Sequence, residues 1–232
     1  MNSILDQTPS LQSDLAPRDG NSYVKGPEVP PLAYTSISKL LRDAAKRYGS
    51  REALIFPNNR LNYDDFDQTV DALAAGFLAL GLDKGDRLGI WSPNRLEWVL
   101  TQFATARIGV LLVNINPAYR LSELEYSLNT VGCKAIVLAQ SLKSSNYLQM
   151  IRTLAPEIDD CRQGKLHSIK LPQLRHVIVM GNVDGFDGLW SFDDILTLGG
   201  PIHRKQLSEI EQKLKPDDAI NIQFTSGTTG QP

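Results

Sequence analysis

A run of six small residues near the end of the sequence has the composition best suited to chemistry. The run comprises Thr225, Ser226, Gly227, Thr228, Thr229 and Gly230. Glycines let a backbone adopt positive φ and approach a ligand closely. Consecutive backbone N–H groups can then converge on phosphate oxygens, and the hydroxyl groups add further hydrogen-bond donors. The run therefore fits a phosphate-binding loop.

A flexible linker is the alternative interpretation, and composition by itself favours the linker for a short Ser/Thr/Gly run. The run is not a Walker A loop, because no Gly-Lys pair occurs in it. The residues just before it alternate, with Ile220, Ile222 and Phe224 on one side and Asn221 and Gln223 on the other. This alternation predicts a strand that leads directly into the loop.

Strands and helices alternate along most of the chain. We expect strands at 52–56, 59–63, 86–91, 110–115, 134–139, 175–180 and 219–224. We expect helices at 36–48, 64–80, 92–109, 121–132 and 144–154, and shorter ones at 191–197 and 204–213. Several strands are continuously apolar, as strands covered on both faces should be. The pattern predicts an α/β fold with a largely parallel sheet and helices on both faces.

Some local features of these elements are specific enough to test. Ser92 is expected as the N-cap of the helix at 92–109. Ser122 and Glu125 have the spacing of a capping box, with Leu121 and Tyr126 placed as a hydrophobic staple. The polar stretch at 156–174 is expected to be a surface loop.

Composition excludes several classes of protein. The formal net charge of −2 argues against a nucleic-acid partner, and no apolar run approaches the ~18 residues of a transmembrane helix. Cys133 and Cys161 lie far apart without metal-ligand spacing, so we expect reduced thiols and no metal site. No secretory signal or transit peptide is evident, which favours the cytosol, with mitochondria as the alternative. Residues 1–31 are expected to form a flexible arm before an organised region at 32–232.

Other candidate residues carry weaker signals. His167, His176 and His203 are scattered, and we expect His176 to be packed in a strand and the other two to lie at the surface. Trp91 and Trp98 are expected to fill the core. Asn114, Asn116 and Pro117 follow a strand, and a structural bend is favoured there over a ligand contact. We expect no catalytic residue within the chain.

Four blocks of the sequence resemble the adenylate-forming superfamily, which includes acyl-CoA synthetases, luciferases and peptide-synthetase adenylation domains. The segment QFTSGTTGQP at 223–232 is similar to its phosphate-binding signature. The blocks at 60–66, 81–100 and 104–128 resemble earlier elements of the family in the same order. The resemblance covers residues 34–232. The segments INPAYRLSELEY and INIQFTSGTTG resemble in particular the fatty-acid-activating synthetases of the medium-chain, family-member-2 type.

The resemblance implies a two-step reaction. ATP and a fatty acid would give an acyl-adenylate and pyrophosphate, and coenzyme A would then displace AMP to give acyl-CoA. The run from Thr225 to Gly230 would hold the β- and γ-phosphates of ATP, with Mg²⁺ sharing their charge. The small-molecule substrates are therefore a fatty acid, ATP and coenzyme A.

The sequence also departs from the family pattern. Asn62 and Asp65 replace the hydroxyl residue and the glutamate that are usual in the first block. The loop lysine, the adenine- and ribose-binding segments and the catalytic lysine of the C-terminal lid are expected after residue 232. We therefore expect that these 232 residues do not complete adenylation by themselves. The alternative function is a truncated, non-catalytic chain that binds a partner or nothing.

Overall fold

The structure is a computed structural model that describes residues 29, 31 and 33–224. The chain divides into two compact units, Met1–Tyr34 and Thr35–Pro232. All but two residues of the expected arm at 1–31 lie outside the described residues, and so does the predicted loop from Thr225 to Gly230. The elements described below belong to the second unit.

The described residues form strands and helices in alternation. The strands are β1 Glu52–Phe56, β2 Asn59–Asn62, β3 Arg87–Trp91, β4 Leu111–Asn114, β5 Ala135–Ala139, β6 Ser141–Leu142, β7 Ser145–Asn146, β8 His176–Met180, β9 Trp190–Ser191 and β10 Asn221–Gln223. The helices are α1 Ile37–Tyr48, α2 Tyr63–Ala79, α3 Leu96–Ile108, α4 Leu121–Val131, α5 Tyr147–Leu154, α6 Phe192–Leu198 and α7 Pro201–Glu211, with a 3₁₀ helix at Pro156–Asp160.

A six-stranded sheet with the order β10-β4-β3-β5-β8-β9 organises these elements. Every pair in it is parallel. Strands β5 and β8 are buried along their whole length, which explains their continuously apolar sequences. Strands β4 and β5 lie on opposite sides of β3. The connection from β3 to β4 therefore crosses the sheet in one direction, and the connection from β4 to β5 crosses it in the opposite direction. Right-handed crossovers therefore put α3 and α4 on opposite faces, and the expected α/β fold is confirmed.

Two helix starts follow local hydrogen-bond chemistry. The Ser36 side chain accepts from the backbone N–H of Lys39 at the start of α1, at 3.2 Å. The Asn62 side chain accepts from the N–H of Asp65 at the start of α2, at 2.8 Å. Both contacts satisfy amide groups that have no partner inside the helix. Asn62, a departure from the family pattern, therefore acts as a helix cap.

The predicted start of α3 is wrong. The helix begins at Leu96 and its capping position is Arg95, whose side chain makes no capping bond. The hydroxyl of Ser92 instead donates to the carbonyl of Pro93 at 2.8 Å. This local contact keeps the residues after β3 in a turn, which delays the helix.

The predicted capping box of α4 is also wrong. The helix begins at Leu121, and the Glu123 carboxylate accepts from the backbone N–H of Arg120 at 3.1 Å. Ser122 therefore lies inside the helix. Leu121 and Tyr126 remain 37% and 36% exposed and form no buried staple. The carboxylate of Glu123, at the third helical position, accepts from the residue before the helix, so the capping contact lies two residues earlier than the sequence pattern indicates.

The stretch at 156–174 is only partly a surface loop. It contains the 3₁₀ helix, and four of its apolar side chains are buried in the core: Ile158, Leu166, Leu171 and Leu174. Their irregular spacing carries no helical or strand period, so the sequence pattern did not predict their burial.

A buried arginine joins the helices on one face of the sheet. The side chain of Arg107 in α3 has no exposed surface. It donates to the Asp67 carboxylate at 2.6 Å and to the Asp71 carboxylate at 2.9 Å, both in α2. Its Nε donates to the hydroxyl of Ser38 in α1 at 3.2 Å. Charge-assisted bonds therefore hold three helices around one guanidinium.

A second arginine extends this network to α7. Arg42 in α1 contacts Asp67 at 2.7 Å, Asp71 at 2.6 Å and Glu211 at 2.9 Å. Burial by itself would lower the pKa of Arg42, but the hydrogen bonds to Asp71, Glu211 and Asp67 outweigh it and raise the pKa above its ordinary value. The helix that precedes β10 is thus tied to α1 and α2.

The imidazole of His176 is buried in β8, as expected, with 7% of its surface exposed. Burial is the main cause that lowers the pKa of His176, and the positive charges of Lys134 and Arg175 lower it further. A hydrogen bond with the backbone of Leu80 acts in the opposite direction, and the resulting pKa is about 4. The imidazole is therefore neutral at pH 7.

Among the described residues, no helix is long and apolar enough to cross a bilayer.

Replacing Arg107 with methionine should destabilise the protein by about 3 kcal/mol, because the Asp67 and Asp71 carboxylates lose a buried partner. Arg60→Met is the matched control, since the pair of Arg60 with Glu52 is exposed and should contribute less than ~1 kcal/mol. Urea unfolding of both variants measures the difference, and equal losses of unfolding free energy would contradict the role of the buried network.

His176 should make the protein less stable in acid. An unfolded histidine takes up a proton near pH 6.5, whereas the native imidazole does so only at about 4. Stability is therefore complete above pH ~6.5 and falls by about 2 kcal/mol between pH 7 and pH 5 through this group. His176→Gln cannot titrate, so the difference in its unfolding free energy between these two pH values should shrink by that amount. An unchanged difference would show that the imidazole is not buried neutral.

Candidate functional site

A cleft of about 460 Å³ opens at the carboxyl ends of β3, β4 and β10. Ligands of open parallel sheets bind outside the carboxyl ends of the strands. The wall after β3 includes Ser92, Asn94 and Trp98. The wall after β4 extends from Asn114 to Tyr119, and the end of β10 contributes Gln223 and Phe224.

The end of β10 lines this cleft, and the predicted loop follows it in the sequence. Gln223 pairs with Asn114 in the parallel register of β10 and β4. Phe224 is the last described residue. The six residues themselves lie outside the described residues, so their role stays a prediction.

Two stacked aromatic residues hold the turn that forms one wall. The rings of Trp91 and Tyr147 are 3.8 Å apart and within 16° of parallel. The Trp91 indole N–H donates to the carbonyl of Asn116 at 3.1 Å. The Tyr147 hydroxyl donates to the carbonyl of Pro117 at 2.6 Å. Burial raises the pKa of Tyr147, which keeps this donor protonated.

The turn at Asn116 is a structural bend, as expected. The Asn116 side chain accepts from the N–H of Ala118 at 2.9 Å, and its carbonyl accepts from the N–H of Tyr119 at 3.0 Å. This is the local pattern by which asparagine stabilises a turn. Its carboxamide oxygen is occupied by the turn itself.

Asn114 is different from Asn116. Its Oδ1 is buried and has no hydrogen-bond partner among the described residues. The sequence placed both residues in one bend, and nothing in the pattern distinguished them. The strand register distinguishes the two residues, because it places Asn114 within β4, opposite Gln223, whereas Asn116 lies in the turn after the strand.

Trp91 and Trp98 also differ from each other. Trp91 is fully buried, as expected. Trp98 is only half-buried and lines the cleft, so the expectation that it fills the core is wrong in part. It lies in the first turn of α3, and the delayed start of that helix brings it to the edge of the sheet.

The described walls of the cleft are polar but uncharged. None of their residues is an acid, a base or a cysteine. No group of three His, Cys, Asp or Glu within the described part of the chain is arranged to hold a metal ion. These residues do not fit a metal held by protein ligands, and they suit binding and orientation rather than proton transfer or nucleophilic attack.

Comparison with known proteins identifies the family. The sequence pattern of the family described as "AMP-binding enzyme" matches residues 41–232. The chain belongs to this family. It is 42% identical over 230 residues to the protein named "Medium-chain acyl-CoA ligase ACSF2, mitochondrial" of Danio rerio. The match covers 98% of this chain and 37% of that relative, so the chain spans little more than a third of the relative's length.

Solved structures of the family share the fold. The anthranilate CoA ligase AuaEII, in complex with anthranoyl-AMP, matches with a TM-score of 0.67 at 19% identity, over 89% of this chain and 35% of that one. The apo structure of MbtA from Mycobacterium smegmatis matches with a TM-score of 0.66 at 26% identity, over 86% and 33% of the two chains. These two structures therefore share the fold of the described chain.

Tyr147→Phe should destabilise the protein by about 1–2 kcal/mol, because the partly buried carbonyl of Pro117 loses its donor. The exposed Tyr126 provides the matched control, and Tyr126→Phe should leave the unfolding free energy within ~0.5 kcal/mol. Chemical denaturation of the two variants measures both unfolding free energies. A neutral Tyr147→Phe variant would mean that the hydroxyl does not hold the turn.

Proposed function

We propose that this chain is part of an AMP-forming acyl-CoA ligase that activates a fatty acid. The observation that carries the proposal is the parallel pairing of β10 with β4, which places Gln223, just before the predicted loop in the sequence, at the carboxyl edge of the sheet. Family membership supplies the reaction class. The name of the Danio rerio relative supports a medium-chain fatty acid as the substrate.

The reaction has two balanced steps. A carboxylate oxygen of the fatty acid attacks the α-phosphorus of ATP, and the bond to the departing pyrophosphate breaks. The thiolate of coenzyme A then attacks the acyl carbonyl carbon, and AMP leaves with the electron pair of the acyl–oxygen bond. Mg²⁺, when bound, shares the charge of the phosphates; the described residues do not hold it.

Within this reaction the loop would position the leaving group. Thr225, Ser226, Gly227, Thr228, Thr229 and Gly230 would surround the β- and γ-phosphates. The uncharged walls of the described cleft leave backbone N–H groups and hydroxyls as the donors, which is how an anion nest works. The aromatic pair of Trp91 and Tyr147 supports this role, because a fixed wall lets such donors act without reorganisation.

The proposed domain boundaries and cellular compartment rest on the same comparison. Residues 32–232 would form the N-terminal portion of the AMP-binding domain, with 1–31 as an arm before it. The name of the relative supports the mitochondrial alternative over the cytosol. The non-catalytic alternative has no specific observation in its favour.

Carboxylate-dependent exchange of pyrophosphate into ATP tests the proposal in the full-length protein that carries this chain. Wild-type protein should exchange with medium-chain fatty acids, and Thr228→Val and Thr229→Val should each lower kcat/KM for ATP by about tenfold through loss of a hydroxyl donor. Thr197→Val is the control, since Thr197 is exposed on α6, and it should have no effect. Absence of exchange with every fatty acid tried would overturn the proposal.

A further inference from the structure

The segment between the 3₁₀ helix and β8 concentrates positive charge in a chain whose formal net charge is −2. Residues 161–182 include no aspartate or glutamate. The same stretch carries four permanent cations, Arg162, Lys165, Lys170 and Arg175. A local excess of one sign against the charge of the whole chain favours contact with a partner of the opposite sign.

The fold turns one set of side chains in this segment to the core and another to solvent. Leu166, Ser168 and Leu171 are buried. Ile169 is 88% exposed, the highest value among the exposed large hydrophobic side chains of the described residues. The outward set, called the basic face below, consists of four exposed residues: Lys165, His167, Ile169 and Lys170.

Hydrogen bonds to the backbone fix the basic face in this orientation. The backbone N–H of Ile169 donates to the Glu157 carboxylate at 3.1 Å. The Asn129 side chain in α4 donates to the carbonyl of Lys170 at 2.9 Å, and the N–H of Leu171 donates to the Ser168 hydroxyl at 3.2 Å. The exposure of Ile169 is therefore built into the fold.

The acids that flank the segment leave it a net positive charge. The Glu157 carboxylate is engaged by the backbone of Ile169. Asp159 forms a two-pronged pair with Arg152, at 2.8 and 2.6 Å. Asp160 is exposed and offsets one positive charge, and Asp187 lines a shallow cleft together with Arg162. The lysines of the basic face remain available to a partner.

The combination of one protruding isoleucine with two lysines indicates the kind of partner. At a bilayer surface an apolar side chain enters the boundary between headgroups and acyl chains, while lysines contact anionic headgroups. The long lysine stems let the ammonium groups stay in the headgroup layer. An acidic protein segment would pair with Lys165 and Lys170, but it would also need an apolar pocket for Ile169. A bilayer needs no such pocket.

We propose that the basic face docks the protein on the anionic surface of a lipid bilayer, with Ile169 inserted between headgroups and Lys165 and Lys170 against anionic lipids. One apolar side chain and two lysines make this attachment weak, reversible and sensitive to salt. The proposal does not depend on the proposed ligase function, because it uses residues far from the cleft in sequence and needs no nucleotide.

Vesicle flotation with the full-length protein that carries this chain tests the proposal. Wild-type protein should float with vesicles of phosphatidylcholine and phosphatidylglycerol in equal parts, and less so as salt is added. Lys165→Gln combined with Lys170→Gln should lower the partition coefficient about 25-fold, from about fivefold for each lysine. Ile169→Ser should lower it about tenfold through loss of the inserted side chain.

Matched controls make the same chemical changes elsewhere on the surface. Lys205→Gln combined with Lys213→Gln removes the same charge from two other exposed lysines. Ile202→Ser removes an isoleucine of α7 that is 73% exposed. These variants should bind vesicles as the wild type does. The Tm should be unchanged in every variant, because each altered side chain is exposed.

Equal flotation with vesicles of phosphatidylcholine alone would overturn the proposal, and so would equal losses of binding in the test and control variants. Binding to polyglutamate without binding to anionic vesicles would overturn it in favour of an acidic protein partner. Pyrophosphate exchange that fails while vesicle binding persists would refute the ligase function and leave the basic face as proposed.

Discussion

The parallel pairing of β10 with β4 is the contact on which the candidate site depends. It joins residues that are more than a hundred positions apart in the sequence, since Gln223 lies opposite Asn114. The pairing brings three parallel strands to one edge and opens the cleft between them. Without it, Gln223 and Phe224 would not line the cleft beside the wall formed after β4.

Two other arrangements support that pairing from different sides. The network of Arg42, Arg107 and Glu211 ties α7, the helix before β10, to α1 and α3. The stacked pair of Trp91 and Tyr147 fixes the turn after β4 through two backbone carbonyls. The first arrangement is electrostatic and the second is aromatic and hydrogen-bonded. The first joins the helix before β10 to its neighbours, the second holds the turn at the cleft, and neither contributes a side chain to the described walls of the cleft.

This arrangement fits a region that binds and orients a ligand. The described walls carry neutral polar groups, whereas the buried Arg107 and the partly buried Arg42 form ion pairs between helices. The described walls therefore offer no charged side chain to the phosphates of the proposed nucleotide, and contacts with the phosphates are left to neutral donors.

The sequence by itself determined the kinds and order of the longer elements, because apolar periodicity and glycine stops are local properties, but it missed the two-residue strands β6, β7 and β9. It also identified the family, through motifs such as TSGTTG that need no structure to be recognised. It misplaced the starts of α3 and α4, where Pro93 and Glu123 make contacts that their spacing does not reveal. Only the tertiary structure decided which polar groups meet at the cleft and which remain unpaired. The reason is physical: strand order and register depend on contacts between distant residues, and a local pattern carries no information about them.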